Sequence, residues 1–300
     1  MSEGQIKMMQ LEGTLIKGIG GFYYVEAADT VYTCRARGIF RKQGITPVAG
    51  DRVVISLEED NTGMLEEVLE RKNVLVRPPV ANLDVLVLVA SVCHPRTNTL
   101  VLDKMIAVAE KKGICPIIVI NKSDLGDPTE LETIYRATGL ECFTVSATDP
   151  QSLEPLRQRL AGQVCVFAGN SGVGKSSILN VIDPSLMLST GEISEKLGRG
   201  RHTTRTATLY HLADGYVVDT PGFSSLDMEQ VESIDKDELA DCFREFEPYI
   251  GRCRFIGCAH YREPNCAVRQ AVEAGEISES RYTSYVTMYE AVKDKKEWEK

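Results

Sequence analysis

The chain has 300 residues, 43% hydrophobic and 26% charged, with a formal net charge of −9. That length accommodates two domains, or three small ones, with a sizeable core. The N-terminal stretch MSEGQIKMMQ has neither an apolar run nor a cleavage signal, and the longest uncharged apolar run, Val85–Cys93, is too short to span a bilayer, so a soluble cytoplasmic protein is expected.

Residues 11–70 read as β structure. GTLIKG, FYYVEAA, VYTCRARG, DRVVISL and GMLEEVL are short β-rich runs separated by glycines and polar turns. About five strands in about sixty residues fit a small barrel, with an OB-fold as the first choice and an SH3-like barrel as the alternative. The overall acidity argues against a nucleic-acid partner, but the charge is uneven. Residues 1–50 hold six bases against four acids, and Arg35, Arg37, Arg41 and Lys42 cluster. Local patches decide contact with phosphate backbones, although a solvated basic face is the simpler account of this one.

Pro78–Pro79 in RKNVLVRPPVAN marks a boundary. The expected division is a barrel over 1–72, a central domain over 73–225 and a C-terminal domain over 226–300. In the central part the texture changes to strands alternating with helices. DVLVLVAS is a continuous apolar run suited to a strand buried on both faces, and LVLDKMIAVAEKKG has helical spacing with a glycine stop. CPIIVI, ECFTVSA and VCVFAG are further strands; PTELETIYRATG, PQSLEPLRQRLAG and KSSILNVI are helices. This alternation predicts a doubly wound α/β domain with a parallel sheet, ended by an antiparallel pair from ATLYHLA and YVVDTPG.

VCVFAG runs into Gly169-Asn170-Ser171-Gly172-Val173-Gly174-Lys175-Ser176, followed by Ser177. This is the G-x-x-x-x-G-K-[ST] pattern between a strand and a helix, the context a phosphate-binding loop requires. Gly172 and Gly174 let backbone N–H groups face phosphate oxygens, and the helix start adds its positive dipole end. Lys175 would reach the β- and γ-phosphates, and the Ser176 hydroxyl would meet Mg²⁺.

NKSD, residues 121–124, follows CPIIVI. The Asp124 carboxylate can accept from guanine N1–H and the 2-amino group, a donor pair adenine lacks. Asn121 can bridge base and phosphate loop, and the Lys122 stem can cover the ring. Ser146–Ala147, after the next strand, offers a backbone N–H to guanine O6. In DTPG, Asp219 would hold Mg²⁺ through water and Gly222 would sense the γ-phosphate. Ordinary GTPases run phosphate loop, switch threonine, DxxG, NKxD, SA. Here NKSD and SA come first, which is a circular permutation, and Ala161–Gln163 would join the old termini.

Barrel, RPPVANLD, NKSD, GNSGVGKS, GRGRHTTR, DTPGF and a cysteine cluster, in that order, resemble the RsgA (YjeQ/YloQ) family over nearly the whole chain. The resemblance implies a circularly permuted P-loop GTPase domain between an N-terminal OB-fold that binds RNA and a C-terminal zinc-binding helical domain. It implies GTP hydrolysis stimulated by the small (30S) ribosomal subunit and a role in late maturation of that subunit; rRNA as a partner, a monomer and no membrane attachment are the accompanying expectations. Within GRGRHTTR, Thr204 is the first choice as Mg²⁺ ligand and Thr203 the second. Many small GTPases follow DxxG with a water-orienting glutamine; Phe223 stands there instead, and it neither donates nor accepts. His202 is the nearest group able to orient water, as the resemblance also suggests, with an exposed imidazole or an RNA contact as the alternative. The rival functions are a slow-hydrolysing nucleotide switch, which Phe223 permits, and a GTPase serving another RNA or a signalling protein. Arg199, Arg201 and Arg205 flank the same loop and would face phosphate.

Of nine cysteines, six are scattered and read as reduced core thiols. Cys253, Cys258, His260 and Cys266 give C-x4-C-x-H-x5-C, a closed set of three thiolates and one imidazole suited to one structural Zn²⁺. Arg252, Arg254, Arg262 and Arg269 surround it.

Overall fold

The computed structural model describes residues 9–58, 60–76, 78–186, 207–219 and 234–294. Five strands, β1 (Gln10–Ile19), β2 (Phe22–Ala27), β3 (Thr30–Ala36), β4 (Arg52–Leu57) and β5 (Thr62–Val68), close into a barrel in the order β1-β2-β3-β5-β4. β3 pairs with β5 in parallel, across a connection that carries helix α1 (Ile39–Gln43). This is the OB arrangement, and it decides between the two barrels left open by the sequence. Closure leaves no free edge. Leu15, Val25, Cys34, Val53, Ile55 and Leu65 fill the interior, and Phe40 of α1 joins them. They fall at alternating strand positions, as a pleated wall with one buried face requires.

The segment after the barrel is more ordered than a plain linker. β6 (Val74–Leu75) and β7 (Val80–Ala81) form a two-residue antiparallel ladder. The Asn73 side chain donates to Leu83 O at 2.8 Å and accepts from Leu83 N at 2.9 Å. Arg71 pairs with the buried Asp51 through Nε at 2.6 Å and Nη2 at 2.8 Å. The barrel also meets the central sheet directly, where Tyr216 donates to Glu26 at 2.6 Å and His211 lies 3.0 Å from the same carboxylate.

The central sheet has six strands: β8 (Val85–Ser91), β9 (Cys115–Asn121), β10 (Glu141–Thr144), β11 (Val164–Ala168), β12 (Thr208–Leu212) and β13 (Gly215–Asp219). Their order is β10-β9-β8-β11-β13-β12. All pairings are parallel except β12–β13, the antiparallel pair expected. Helices α2 (Thr99–Lys111), α3 (Thr129–Arg136), α4 (Glu154–Leu160) and α5 (Lys175–Ile182) cover it. Every residue of β8 is buried. Leu86, Leu88 and Ala90 join the core with α2, whereas Val85, Val87 and Val89 join the one with α4 and α5. That two-sided burial is why the run is continuously apolar rather than alternating.

The described C-terminal part contains two helices, α6 (Ala267–Glu273) and α7 (Glu279–Val292). Before them the chain makes 3-10 turns at Ala240–Cys242 and Arg244–Tyr249, the second interrupted by Pro248, which lacks the N–H a regular helix needs. Phe243, Phe246 and Tyr285 pack with α2 residues in one core. Arg281 of α7 is 1% exposed. It donates to Glu245 through Nε at 2.7 Å and Nη2 at 3.2 Å, and to Asp103 of α2 through Nη1 at 2.7 Å. Its guanidinium lies 4.5 Å from the centre of the Phe243 ring. Among the described residues, no helix is long and apolar enough to cross a membrane.

Candidate functional site

Five parallel strands present their carboxyl ends on one edge of the sheet. The chain leaves β8 towards β9 and leaves β11 towards α5, so the strand order reverses between β8 and β11. In open α/β sheets this reversal opens a crevice where ligands bind. The loops after β8, β9, β10 and β11 meet there.

Asn121, the last residue of β9, ties three of them together. Its Nδ2 donates to Val173 O of the glycine-rich loop at 2.8 Å. Its Oδ1 accepts from Ala147 N, beyond β10, at 3.3 Å. The side chain is 1% exposed, so both bonds form out of water, where an unmade bond would be costly. The Ser146 hydroxyl donates to Asp124 Oδ1 at 2.6 Å and contacts Thr148 Oγ1 at 2.7 Å. Ser123 N and Oγ both donate to Val145 O, at 3.2 and 3.0 Å. Asp124 is thereby held by its own turn and by the turn after β10, with carboxylate lone pairs left to accept further donors.

The glycine-rich loop is shaped by two approaches that admit no Cβ. Gly169 has φ +140°, and a Cβ there would lie 2.4 Å from Val89 O of β8. Gly174 has φ +100°, and a Cβ there would lie 2.2 Å from Asn121 Nδ2. Lys175 Nζ donates to Gly169 O at 2.7 Å and to Asn170 O at 2.9 Å, so the ammonium lies over the loop it follows. Burial pushes its pKa down. An anionic oxygen would be a stronger partner for it than two neutral carbonyls. Ser176 is buried at the first turn of α5.

A further wall comes from the loop after β8, which no sequence motif marks. Lys122, at φ +64°, extends its Nζ to His94 O at 2.6 Å. Pro95 lies against Gly172, 3.4 Å from where a Cβ would stand. The Thr97 hydroxyl pins the loop, accepting from Ser91 N at 2.8 Å and donating to Ser91 O at 3.1 Å. Backbone carbonyls and a proline ring leave no pattern that would find them beforehand. The sequence expectations for His202, Thr203, Thr204, Gly222 and Phe223, and for Arg199, Arg201 and Arg205, lie outside the described residues. Asp219 is placed as the last residue of β13, at the same edge, with only its backbone described.

One substitution tests the junction of the loop after β9 with the glycine-rich loop. Gly174→Ala must displace Asn121; about 1–3 kcal/mol of backbone strain plus about 1 kcal/mol for the bond to Val173 predicts a roughly 100-fold loss in affinity for fluorescent GDP. Unchanged affinity would show that this contact does not shape the loop.

The C-terminal cysteines form a second centre. The ligand atoms of Cys253, Cys258, His260 and Cys266 lie within 4.8 Å of one another. Cys253 Sγ is 3.9 Å from Cys266 Sγ and 3.5 Å from His260 Nδ1, which is 3.4 Å from Cys266 Sγ. Tetrahedral zinc with bonds of about 2.3 Å to sulfur and 2.0 Å to nitrogen implies roughly 3.8 Å between sulfurs and 3.5 Å between nitrogen and sulfur, which the spacings of Cys253, His260 and Cys266 match, with Cys258 beside them as the fourth donor. Burial lowers the His260 pKa, favouring the neutral imidazole a metal needs. Glu263 folds the loop inward, accepting from Ala259 N, Tyr261 N and Arg262 N at 2.9–3.0 Å. The other thiols sit apart; burial pushes Cys34, Cys142 and Cys242 up to about 11 and Cys165 up to about 12, as inert core thiols require.

The family model described as RsgA GTPase matches residues 68–229, and that described as RsgA N-terminal domain matches 12–65. The curated small ribosomal subunit biogenesis GTPase RsgA of Geobacillus kaustophilus is 47% identical over 291 residues, covering 95% of this chain and 98% of the relative. Its namesake from Bacillus subtilis is 46% identical over 296 residues, with 95% and 98% covered. Among solved structures, YjeQ from Thermotoga maritima superposes with a TM-score of 0.84 at 38% identity, covering 96% of this chain and all of the other. YloQ, described as a circularly permuted GTPase, does so with a TM-score of 0.80 at 39% identity, covering 98% and 99%.

Proposed function

The chain belongs to the RsgA GTPase family, and from that premise we propose that it hydrolyses GTP in the crevice between β8 and β11 while serving late maturation of the small (30S) ribosomal subunit. The observation that carries this reading is the double engagement of Asn121, bonded to the phosphate loop on one side and to Ala147 on the other. It supports one guanine nucleotide lying across loops whose chain order is permuted.

In this reading Asp124 selects guanine, Lys122 covers the ring, and Ala147 N, which donates to Asn121 Oδ1 at 3.3 Å, shares its N–H with the base edge. The N–H groups from Gly169 to Ser177 surround the phosphates, and Gly222 senses the γ-phosphate. Lys175 moves from its carbonyl partners to the β- and γ-phosphate oxygens. Magnesium, when bound by Ser176, Thr204 and Asp219, would offset charge on those oxygens. His202 orients the attacking water, a task Phe223 cannot perform. The products are GDP and phosphate.

The chain divides functionally into an RNA-binding barrel (1–72), the GTPase domain (73–225) and a module stabilised by one zinc ion (226–300). Arg35 lies over the Phe22 ring at 5.1 Å, both exposed, and Lys17 over the half-buried Tyr24 at 4.5 Å, a face that supports contact with rRNA bases and phosphates. The protein works in the cytoplasm as a monomer.

The test is GTP turnover with purified small subunits across a salt series. Stimulation should be strong at low salt and fall steeply as salt rises, because phosphate contacts release counterions. His202→Ala should lose the stimulated rate by roughly 100-fold or more while GDP affinity stays unchanged. Stimulation absent at every salt concentration would remove the ribosomal assignment. A stimulated rate untouched in His202→Ala would remove the histidine's role alone.

A further inference from the structure

Helix α7 carries two sets of contacts within six residues. Facing the metal-binding loop, Tyr282 donates to His260 O at 3.0 Å and Tyr285 to Ala259 O at 2.6 Å. Facing α2, Ser280 donates to Thr99 Oγ1 at 3.3 Å and Arg281 to Asp103 Oδ1 at 2.7 Å. Arg281 and Glu245 both belong to the C-terminal module, so their paired bonds are internal to it. The Asp103 bond crosses from that module into the GTPase domain. It is buried at both ends, with Arg281 1% and Asp103 0% exposed. In such surroundings a charge-assisted bond tolerates little displacement of either partner.

The other end of α2 borders the nucleotide site. Val101 and Leu102 of its first turn line a small void together with Gly169, Asn170 and Val173 of the phosphate loop. Asn98 caps the helix, accepting from Val101 N at 3.4 Å, and lines the same void. Two short helices therefore join the metal-binding loop to the phosphate loop. Among the described residues, these contacts are separate from the covalent path that leaves β13 at Asp219.

We propose that Arg281 is a positioning residue for the nucleotide site: through its bond to Asp103 it fixes α2, and α2 sets where the phosphate loop rests. Nucleotide binding and the ordering of the metal-binding module are then coupled, and the coupling is reciprocal. Loosening the Arg281–Asp103 bond weakens the hold of α7 on α2, and the wall that α2 gives the phosphate loop shifts with it. A partner that pulls on the metal-binding loop alters nucleotide affinity by the same route. The proposal rests on the nucleotide reading of the site.

The test is amide hydrogen exchange on the full chain, with and without GDP. In the unmodified protein, GDP should slow exchange at residues 169–176 and also, by roughly tenfold, at residues 278–285. Asp103→Leu cuts the crossing bond and leaves Arg281 with one opposite charge, Glu245. It also removes Asp103 Oδ2, a buried oxygen without a hydrogen-bond partner among the described residues. In this variant GDP should still protect 169–176, but its effect at 278–285 should fall below about twofold. If Asp103→Leu loses its folded circular-dichroism signal, Asp103→Asn replaces it, and the remote effect should drop by at least about threefold.

No remote slowing in the unmodified protein would overturn the proposal. Equal slowing in the variant would also overturn it, by showing that the coupling does not run through this bond. Absence of GDP protection at 169–176 would overturn the nucleotide reading itself, and the coupling with it.

Discussion

Asp124→Asn is expected to reverse the base preference, making xanthosine triphosphate the better ligand. The Asp124 carboxylate already receives the Ser146 hydroxyl at 2.6 Å, which fixes its orientation. In the proposed reading its remaining lone pairs accept from guanine N1–H and the 2-amino group. Xanthine carries an oxygen where guanine carries that amino group. The variant's amide offers a donor, which suits xanthine and opposes guanine. Two charge-assisted bonds at about 1.5–3 kcal/mol each make the expected loss of GTP affinity roughly 100-fold or more. Competition between GTP and XTP for one labelled nucleotide measures it. A variant that still prefers GTP would mean that another group reads the base. Because the base contacts do not involve the γ-phosphate, GDP and GTP should lose affinity by the same factor.

The largest stability effect is expected at Arg281. Two carboxylates, Asp103 and Glu245, converge on this one guanidinium, and all three groups are nearly inaccessible to water. Burial pushes the Asp103 carboxyl up, against the lowering pull of Arg281. Arg281→Ala leaves two buried acids without their cation, at a cost of about 3–5 kcal/mol. It also empties the space against the Phe243 ring. At about 2–4 °C for each kcal/mol, Tm should fall by roughly 6–20 °C. Asp103→Leu, which leaves a balanced pair, should cost much less. Calorimetry of the two variants makes the comparison. Equal destabilisation would mean that packing around α2, not charge balance, governs this core. Arg281→Lys should fall between the two, since an ammonium cannot reproduce the fork that engages Glu245 twice.

Much of the site was legible because its residues are chosen for backbone reasons. Gly169 and Gly174 stand where no Cβ fits, and Asn121 ends a strand where one side chain must satisfy two loops. Such demands leave a motif. The sheet was legible because strands covered on both faces, such as Val85–Ser91, cannot alternate. The loop after β8 was not legible, since it contributes the His94 carbonyl and the Pro95 ring, which any sequence can supply. Nor was the Arg281 cluster: its crossing bond joins residues 178 positions apart, and a lone arginine in a largely polar helix looks solvated. The ladder of Val74–Leu75 with Val80–Ala81 hid behind Pro78–Pro79, whose stiffness signals a break and equally suits a tight turn. In the C-terminal part, where the resemblance implies a helical domain, Pro248 and the Cys253–Cys266 loop impose 3-10 turns and irregular backbone before α6.

The account depends on permuted loops forming a single pocket for guanine nucleotide. Calorimetric titration of the full chain with GDP tests this most directly, repeated with ATP present in about hundredfold excess. One GDP per chain, bound with undiminished affinity against ATP and weakened roughly 100-fold in Gly174→Ala, is the predicted result. Equal competition by ATP, or GDP binding indifferent to Gly174→Ala, would contradict it.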